Sequence, residues 1–539
     1  MNDNQKNENF RQFLDRLRTE KELIDIKQPI DIRHIATLVD QAETALLFHN
    51  VNGYEIPVVS GILRSRNRAI LSMGCNNYSE IEHRLAQGID NPIPPTYITK
   101  ANNKEVIQTN DDVDLYRLPI PMSSIYDGGP MITAGVVIAK DPEFGFNSGM
   151  YRFMVKEKNL TGIDIVTPNN MRLFAQRAYE SGQPCPISIS IGTHPFEIMG
   201  SGFRSPLGTD EMALAGGIRG TAVELTNCET IDLPCIADAE IVLEAEILPT
   251  GWTHPEGRFG EFTRLMGGLH WNPIVRVKAV TMRRNPIYYA LHMPWENTWL
   301  AAPTRYTAIR RAVKSAGVDL KDINVTLGGC GFWHAIISIN KQAGEGKNAL
   351  LAALTAQDIK HVVVVDDDID VHNAEDVEWA IATRVQGDKD IIIIPGARAK
   401  PLDPSLSVTS PGVVPTGAKV GVDATIGEGI PAERFERIAY AYADRTKIND
   451  YLEGKVDPVL VEDDCQELTS QLADKILTLI KETPKYYQEI AEIFSEYEFR
   501  VVAQALGQLH TEGKLWQDKR GRACLRGSAH AAEPPTKTN

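Results

Sequence analysis

The sequence predicts a mixed α/β (α+β) protein with an N-terminal α/β domain, a central strand-rich domain and a C-terminal α/β domain that ends in helices. Three observations predict this fold class. Helical and strand-like patterns alternate near the N-terminus, strand-like segments dominate residues 119–305, and runs of Val and Ile recur after residue 306. A chain of 539 residues is also too long for a single hydrophobic core.

The N-terminal domain is expected over residues 1–118. Apolar residues recur at helical spacing in "FRQFLDRLRTE" and "IDIRHIATLVDQAE", whereas "ALLFHNV" and "PVVSGIL" have the composition of strands. The alternation of the two patterns indicates an α/β arrangement.

The central domain is expected over residues 119–305. Its strand-like segments are "MITAGVVIA", "PISISIG", "AEIVLEAEIL", "IVRVKAVTM" and "IYYALHM", and one helical segment, "NNMRLFAQRAYESG", interrupts them. This pattern predicts a barrel or a sandwich with a helix packed on it.

The C-terminal α/β domain is expected over residues 306–455. "KHVVVVDDDID" and "DIIIIPG" have the continuous β-branched composition of buried strands, which is typical of a parallel sheet covered on both faces. Residues 456–517 read as amphipathic helices. Residues 518–539 are polar with Pro and Lys, and we expect a disordered tail there.

Composition excludes several classes of function. The net charge of −15 argues against nucleic acid as a partner, because phosphate binding requires a positive surface. Seven scattered cysteines without a CxxC pair indicate reduced thiols rather than disulfides or zinc. The polar N-terminus resembles no signal peptide, and no apolar run reaches the ~18 residues of a membrane span. We therefore expect a cytoplasmic protein without a membrane span.

The strongest local motif is "HPEGRFGEF" at residues 254–262. Glu256 and Glu261 are separated by five positions with two glycines between them, so a tight turn can aim both carboxylates at one place. Paired carboxylates in a dry site have pKa values that move apart, which lets one of them act as an acid. The alternative is a pair of exposed loop acids.

A second motif is "FGFNSGMYRFM" at residues 144–154. Asn147 and Arg152 interrupt an apolar run, and an ordinary core segment has little use for either side chain. They are either a satisfied buried pair or two parts of a site.

Weaker motifs have ordinary structural explanations. The acids Asp366, Asp367, Asp368 and Asp370 could hold a hard cation or simply cap the next helix. Lys347 in "GEGKN" lacks the spacing of a P-loop, so it could meet a phosphate at a helix start or lie on the surface. Glu211 could complement a helix dipole.

These stretches together, in their order along about residues 8–450, resemble the UbiD family of decarboxylases, which use prenylated FMN. The stretches include "FRQFLDRLRTEKELIDI", "LPIPMSSIYDGGPMITAGVVIAKDP", "NSGMYRFMV", "PEGRFGEFT" and "VVVVDDDIDVHNAEDVEWAIATR". The resemblance implies that the central domain is a split β-barrel-like flavin-binding domain.

The resemblance also implies roles for individual residues. Glu256, Arg152 and Glu261 would form the catalytic set, with Arg152 on the substrate carboxylate and Glu261 as the proton donor. The metal ligands would be Asn147, Glu211 and Asn170, where Asn170 stands in the place of the family's usual His. The cofactor contacts would be these ligands and Arg152 together with Ser148, Gly149, Met150, Tyr151, Asn169, Ser201 and Lys347.

The implied function is reversible, non-oxidative decarboxylation of an aromatic or heteroaromatic carboxylic acid, hydroxylated acids included, with release of CO₂. The substrate pocket would contain His292, Lys400 and Leu402. The expected ions are Mn²⁺ or Mg²⁺, with K⁺ as a further candidate. The expected partners are a UbiX-like flavin prenyltransferase and further copies of the chain. The resemblance implies a homodimer or larger assembly in which the C-terminal helices of residues 456–517 take part. A non-catalytic flavin-binding subunit and a metal-dependent hydrolase built on Asp366–Asp370 are the alternatives.

Overall fold

The computed structural model describes residues 6–166, 168–203, 205–356, 358–407, 414–455 and 466–533. The chain forms two units, Met1–Ile430 and Pro431–Asn539. Short 3₁₀ turns lie at Ile32–His34, Asn102–Lys104, Asn110–Asp112, Leu115–Arg117 and Ala432–Phe435.

The first unit begins with a small α/β region. Its elements are α1 (Phe10–Thr19), β1 (Leu23–Ile26), α2 (Ile35–Gln41), β2 (Ala45–Phe48), β3 (Val58–Ser60), α3 (Arg66–Ser72) and α4 (Tyr78–Asp90). Helix α1 begins with a capping box, since the side chains of Asn9 and Gln12 each accept a hydrogen bond from the other residue's backbone N–H. Strand β1 pairs parallel with β2, and β2 pairs antiparallel with β3. The predicted N-terminal helices and strands are present.

The central region contains most of the strands. Its elements are β4 (Thr96–Tyr97), β5 (Val106–Thr109), β6 (Met131–Asp141), β7 (Gly145–Glu157), β8 (Leu160–Gly162), α5 (Asn170–Glu180), β9 (Cys185–Ile191), α6 (Pro195–Ser201), α7 (Glu211–Arg219), β10 (Glu224–Asn227), β11 (Pro234–Ile236), β12 (Ile241–Ile247), β13 (His254–Glu256), β14 (His270–Asn272), β15 (Ile274–Met282) and β16 (Tyr288–Tyr289).

Six of these strands close into a barrel in the order β12-β9-β6-β7-β8-β15, and antiparallel pairing of β12 with β15 completes the ring. Every residue from Ile187 to Ile191 of β9 is fully buried, so this strand is covered on both faces. The mixed α+β fold class is confirmed, and a closed barrel decides between the barrel and the sandwich. Strand β5 adds to β15 outside the ring.

One strand of the central sequence belongs elsewhere. We expected "IYYALHM" in the central domain, but β16 pairs parallel with β3 and extends the N-terminal sheet. The helix that follows, α8 (Trp295–Ser315), is tied to the same sheet, because the buried carboxylate of Glu296 accepts from the N–H groups of Gly61 and Leu63. The predicted boundary at residue 305 therefore falls inside α8.

The C-terminal α/β region has a five-stranded sheet. Its elements after α8 are β17 (Asp319–Val325), β18 (His334–Asn340), α9 (Glu345–Thr355), β19 (His361–Asp366), α10 (Ala374–Arg384), β20 (Ile391–Arg398) and β21 (Thr416–Ala424). The order is β17-β18-β19-β21-β20, with β18, β19 and β21 parallel and the two outer strands antiparallel. The prediction that "DIIIIPG" is a buried strand is wrong, because β20 lies at the sheet edge and leaves Ile393 65% exposed.

The second unit has its own helices and hairpin: α11 (Ile448–Leu452), α12 (Gln466–Glu482), α13 (Tyr487–Ile493), α14 (Phe499–Thr511), β22 (Leu515–Gln517) and β23 (Ala523–Leu525). Apolar residues of α12 and α14, including Leu472 and Leu506, share one core. The prediction of a disordered tail from Asp518 is wrong for residues 518–533. Asp518 accepts from the N–H groups of Arg520 and Arg522 and shapes the turn, and Cys524 is fully buried. Residues 534–539 lie outside the described part.

Candidate active site

Strand β7 carries both polar residues of "FGFNSGMYRFM". Asn147 and Arg152 are five residues apart, which corresponds to about 16 Å along a strand. Each side chain meets a different cluster of acids and polar groups. Between them Gly149 has no side chain, and the ring of Tyr151 lies 2.7 Å from the place where a Cβ of Gly149 would stand. The two polar residues therefore belong to two sub-sites on one strand.

Arg152 binds three carboxylates, one through each nitrogen. Nε donates to Glu256 at 3.0 Å, Nη1 to Glu261 at 2.7 Å, and Nη2 pairs with Asp164 at 2.8 Å. The guanidinium also lies 4.9 Å from the ring centroid of Phe259. Burial disfavours the charged guanidinium, but Asp164, Glu261 and Glu256 hold the pKa of Arg152 above its ordinary value. The predicted catalytic residues are thus brought together by contacts from distant parts of the chain.

Glu256 is fully buried at the end of β13. The antiparallel pairing of β13 with β14 places His270 opposite Glu256, and two residues further on Asn272 donates to Glu256 Oε2 at 2.9 Å. Burial raises the pKa of Glu256, and Arg152 offsets part of that rise. The paired acids of "HPEGRFGEF" are therefore not exposed loop acids.

The turn between the two glutamates is shaped by a close backbone crossing. A Cβ on Gly128 would stand 2.3 Å from the Cα of Gly257, and the N–H of Gly128 donates to the carbonyl of Arg258 at 2.9 Å. Only glycine fits at such a crossing. The backbone around residue 128 therefore fixes the position of the turn that carries Glu261.

Two residues of this cluster were missed by sequence reasoning. Asp164 follows β8, and its carboxylate lies 3.2 Å from Nδ1 of His270, which itself lies 3.4 Å from Nη2 of Arg152. Hydrogen bonding to Asp164 raises the pKa of His270. Burial opposes ionisation of Asp164, yet His270 and Arg152 hold the pKa of Asp164 below its ordinary value. No sequence motif links residues that are 106 positions apart, although strand pairing of β13 with β14 could have suggested His270.

The second sub-site surrounds Asn147 and the buried carboxylate of Glu211. Nδ2 of Asn147 donates to Glu211 Oε1 at 3.1 Å, and the backbone N–H of Ser148 donates to Oε2 at 2.7 Å. The hydroxyl of Ser205 also donates to Glu211, and the hydroxyls of Ser148 and Ser201 lie 2.9 Å apart. Burial raises the pKa of Glu211. This cluster offers carboxylate, amide and hydroxyl oxygens, which are the donors that Mg²⁺ and Mn²⁺ accept.

Asn169, Asn170 and Lys347 are also predicted to contact the cofactor. Asn169 caps α5 by accepting from the N–H of Arg172 at 2.8 Å, and Asn170 is the first residue of that helix. Within the described part of the chain, Asn170 makes no hydrogen bond to Asn147 or Glu211. Lys347 lies on the exposed side of α9. The roles of Asn170 in metal binding and of Lys347 in phosphate binding stay predictions.

Two of the predicted substrate residues, Lys400 and Leu402, lie close to the catalytic turn. Lys400 does not point freely into solvent: its ammonium lies 4.8 Å from the ring centroid of Phe262, the residue after Glu261, and 4.3 Å from that of Phe332. Leu402 packs on the same aromatic cluster. Burial lowers the pKa of His292 to about 4, so this side chain is neutral at pH 7.

The acidic run after β19 does not form a cation site. Buried Arg384 pairs with Asp366 at 2.9 Å and with Asp368 at 2.6 Å. Throughout the described ranges, no group of three or more His, Cys, Asp and Glu side chains is arranged to hold a metal ion. The hydrolase alternative therefore loses the feature on which it was based.

Comparison with known proteins identifies the family. Residues 14–86, 97–294 and 298–424 match the N-terminal, Rift-related and C-terminal domains of UbiD, 3-octaprenyl-4-hydroxybenzoate carboxy-lyase. An anhydromevalonate phosphate decarboxylase of Methanothermobacter thermautotrophicus is 35% identical over 436 residues, which cover 80% of this chain and 99% of the relative. The chain belongs to the UbiD family. It is accordingly a carboxy-lyase.

Solved UbiD-class structures share this fold. HmfF from Pelotomaculum thermopropionicum, in complex with FMN, has a TM-score of 0.77 and 37% identity, over 82% of this chain and all (100%) of that chain. The 3,4-dihydroxybenzoic acid decarboxylase of Enterobacter cloacae has a TM-score of 0.74 and 28% identity, over 83% and 99%. The matched UbiD domains end at residue 424, so the unit Pro431–Asn539 lies beyond them.

Two further observations bear on the composition of this UbiD-family chain. The six cysteines in the described part are free thiols. Among the described residues, none of the helices combines the length and apolar character that a membrane crossing requires.

Proposed function

We propose that this UbiD-family enzyme catalyses reversible, non-oxidative decarboxylation of an aromatic or heteroaromatic carboxylic acid with prenylated FMN as its cofactor. The observation that carries the proposal is the buried Glu256–Arg152–Glu261 set, which combines a carboxylate-binding cation with a carboxyl group able to deliver a proton. An evolved form of HmfF binds prFMN, which supports the choice of cofactor. The intact set also argues against a non-catalytic flavin-binding subunit.

We infer that a bound flavin nucleotide would lie along strand β7. The oxygen-rich cluster of Asn147 and Glu211 would hold the phosphate end through a divalent cation, Mn²⁺ or Mg²⁺, because a cation offsets the buried charge of Glu211. Asn170 would add an amide oxygen, and K⁺ is a further candidate ion. The ring system would lie along the backbone from Ser148 to Tyr151, where the missing side chain of Gly149 leaves room that the ring of Tyr151 fills in this structure. When bound, prenylated FMN supplies the electron sink for the electron pair that remains when CO₂ leaves.

Arg152, Glu256 and Glu261 would each have a separate role in the reaction. Arg152 would orient the substrate carboxylate, since a guanidinium presents a planar fork that matches it. Glu256 would keep Arg152 in place, because its second oxygen is fixed by Asn272. Glu261 would donate the proton that replaces the carboxyl group on the same carbon.

The pocket favours an aromatic substrate. Phe262, which directly follows Glu261, has its ring centroid 3.9 Å from that of Phe332, and Lys400 lies over both rings. We infer that an aromatic ring with a polar substituent suits a site bounded by these buried rings and the Lys400 ammonium. The structural neighbours that act on 3,4-dihydroxybenzoic acid and vanillic acid support hydroxylated aromatic acids.

We also infer the source of the cofactor, the location of the enzyme and its oligomeric state. A UbiX-like flavin prenyltransferase would supply the cofactor in the cytoplasm, and the enzyme would form a homodimer or a larger homo-oligomer. A dimeric form of HmfF supports this assembly. Co-expression with and without the prenyltransferase, followed by mass spectrometry of the released flavin and light scattering of the protein, tests both inferences.

A substrate screen tests the proposed function. The holoenzyme is incubated with hydroxybenzoic, furoic and cinnamic acids and with anhydromevalonate phosphate, and CO₂ is measured. Release of CO₂ from an aromatic or heteroaromatic acid, lost in Glu261→Gln at equal flavin content, supports the proposal. CO₂ release from anhydromevalonate phosphate alone would contradict the aromatic assignment, and release without bound flavin would contradict the mechanism.

A further inference from the structure

Every nitrogen of Arg152 lies within 3.0 Å of a carboxylate oxygen in this structure. Nε and Nη1 donate to Glu256 and Glu261, and Nη2 forms an ion pair with Asp164. A fork-like hold on a substrate requires two N–H groups on one side of the guanidinium. A substrate carboxylate that takes such a hold competes with at least one of the three carboxylates, because each nitrogen already has one beside it.

The three carboxylates are held unequally. Glu256 also accepts a hydrogen bond from Asn272 at 2.9 Å, and Asp164 lies 3.2 Å from Nδ1 of His270. Within the described residues, the side chain of Glu261 has one hydrogen-bond donor, Nη1 of Arg152 at 2.7 Å. Glu261 also sits in a glycine-rich turn, next to Gly260 and facing Gly267. It is therefore the carboxylate that can move at the lowest free-energy cost.

We propose that Asp164 and His270 are positioning residues that hold one side of Arg152 while the substrate carboxylate displaces Glu261 from the other side. This inference rests on the proposed function. Asp164 binds Nη2 directly, and His270 fixes the second oxygen of Asp164, so the guanidinium keeps its orientation when Nη1 changes partner.

Opposite effects on substrate affinity follow for two of the acids. Asp164→Asn removes the charge that anchors Nη2, and a hydrogen bond to a charged group accounts for at least about tenfold in affinity. We expect KM to rise roughly tenfold in this variant, while kcat changes much less. Glu261→Gln removes the ion pair that the substrate must break, so its dissociation constant for the substrate should be no higher than the wild-type KM.

The experiment uses holoenzyme and an acid that the wild type decarboxylates. KM and kcat are measured for the wild type, Asp164→Asn, His270→Asn and the matched control Asp141→Asn. Asp141 is a buried acid of the same barrel that pairs with Arg177 at 2.9 Å, so its replacement tests a general loss of a buried charge. Equilibrium dialysis then compares substrate binding by Glu261→Gln and by the Asp164→Asn/Glu261→Gln double variant. Flavin content and melting temperature verify that each variant is folded.

The outcomes distinguish a failure of the positioning role from a failure of the proposed function. A raised KM in Asp164→Asn and His270→Asn, with an unchanged KM in Asp141→Asn and weaker binding by the double variant than by Glu261→Gln, supports the positioning role. Wild-type KM in Asp164→Asn, or substrate binding by Glu261→Gln that is tenfold weaker than the wild-type KM, overturns it. A wild type that releases no CO₂ from any acid overturns the proposed function instead.

Discussion

Arg152→Ala is predicted to destabilise the barrel through the carboxylates that it leaves behind. Glu256 is fully buried and keeps only Asn272 as a side-chain partner in this variant, while Asp164 and Glu261 also lose their cation. Removing one partner of a buried ion pair destabilises a protein by about 3–5 kcal/mol. Since 1 kcal/mol shifts the melting temperature by about 2–4 °C for a domain of 150–250 residues, the barrel transition should fall by at least about 6 °C near neutral pH.

The loss of stability in Arg152→Ala should depend on pH in a defined direction. Burial already raises the pKa of Glu256 above its ordinary value of 4.5, and Arg152 offsets part of that rise. Without Arg152 the folded-state pKa rises further, so folding favours the protonated acid more strongly. The associated stability is present below the ordinary pKa and is lost as pH rises through the folded-state pKa. The deficit of Arg152→Ala should therefore be larger at pH 7.5 than at pH 5.

Thermal unfolding of the apoprotein at both pH values measures this effect. Arg152→Lys is the matched control, because it retains the positive charge but loses the planar fork, and we expect it to lose less stability than Arg152→Ala. Melting temperatures for Arg152→Ala within about 1 °C of the wild type at pH 7.5, or a deficit that is equal at pH 5 and pH 7.5, would refute the electrostatic reasoning.

Three further predictions concern single positions. Glu261→Gln should retain flavin and lower kcat at least about 100-fold, since it removes a general acid; a kcat near the wild-type value would remove this residue from the reaction. Glu211→Gln should lose bound divalent cation, measured by elemental analysis of the purified holoenzyme, and unchanged metal content would place the cation elsewhere. Gly128→Ala should lower both melting temperature and kcat, because its Cβ would stand 2.3 Å from the Cα of Gly257. Gly129→Ala is its control, with a nearest contact of 3.6 Å, and equal effects in the two variants would contradict the backbone-crossing argument.

The sequence predicts the fold class and most elements because their patterns are local. The run of four Val residues in β19, for example, shows the β-branched composition of a buried strand on its own. Prediction from sequence fails where the neighbouring strand in the sheet determines whether a strand is buried or exposed. Strand β20 has a similar composition but lies at a sheet edge, and β16 pairs with β3, which is about 230 residues away. The local sequence of β20 does not predict its edge position, and that of β16 does not predict its pairing with β3.

The candidate site shows the same division. Arg152, Glu256 and Glu261 lie in unusual local sequences, and resemblance to a family joins them. Asp164 stands between two Ile residues and His270 between Leu269 and Trp271, and only the pairing of β13 with β14 and the end of β8 bring them to the guanidinium. Local sequence gives no such signal, since the contacts depend on three-dimensional register.

The central claim is that Arg152 and Glu261 act in a flavin-dependent exchange of a carboxyl group for a proton. The most direct test is decarboxylation by the holoenzyme in D₂O, with the product examined by NMR and the CO₂ quantified. We predict equal amounts of CO₂ and product, with one deuterium on the carbon that carried the carboxyl group. An oxidised product, deuterium at another carbon, or equal CO₂ release by protein without flavin would contradict the claim.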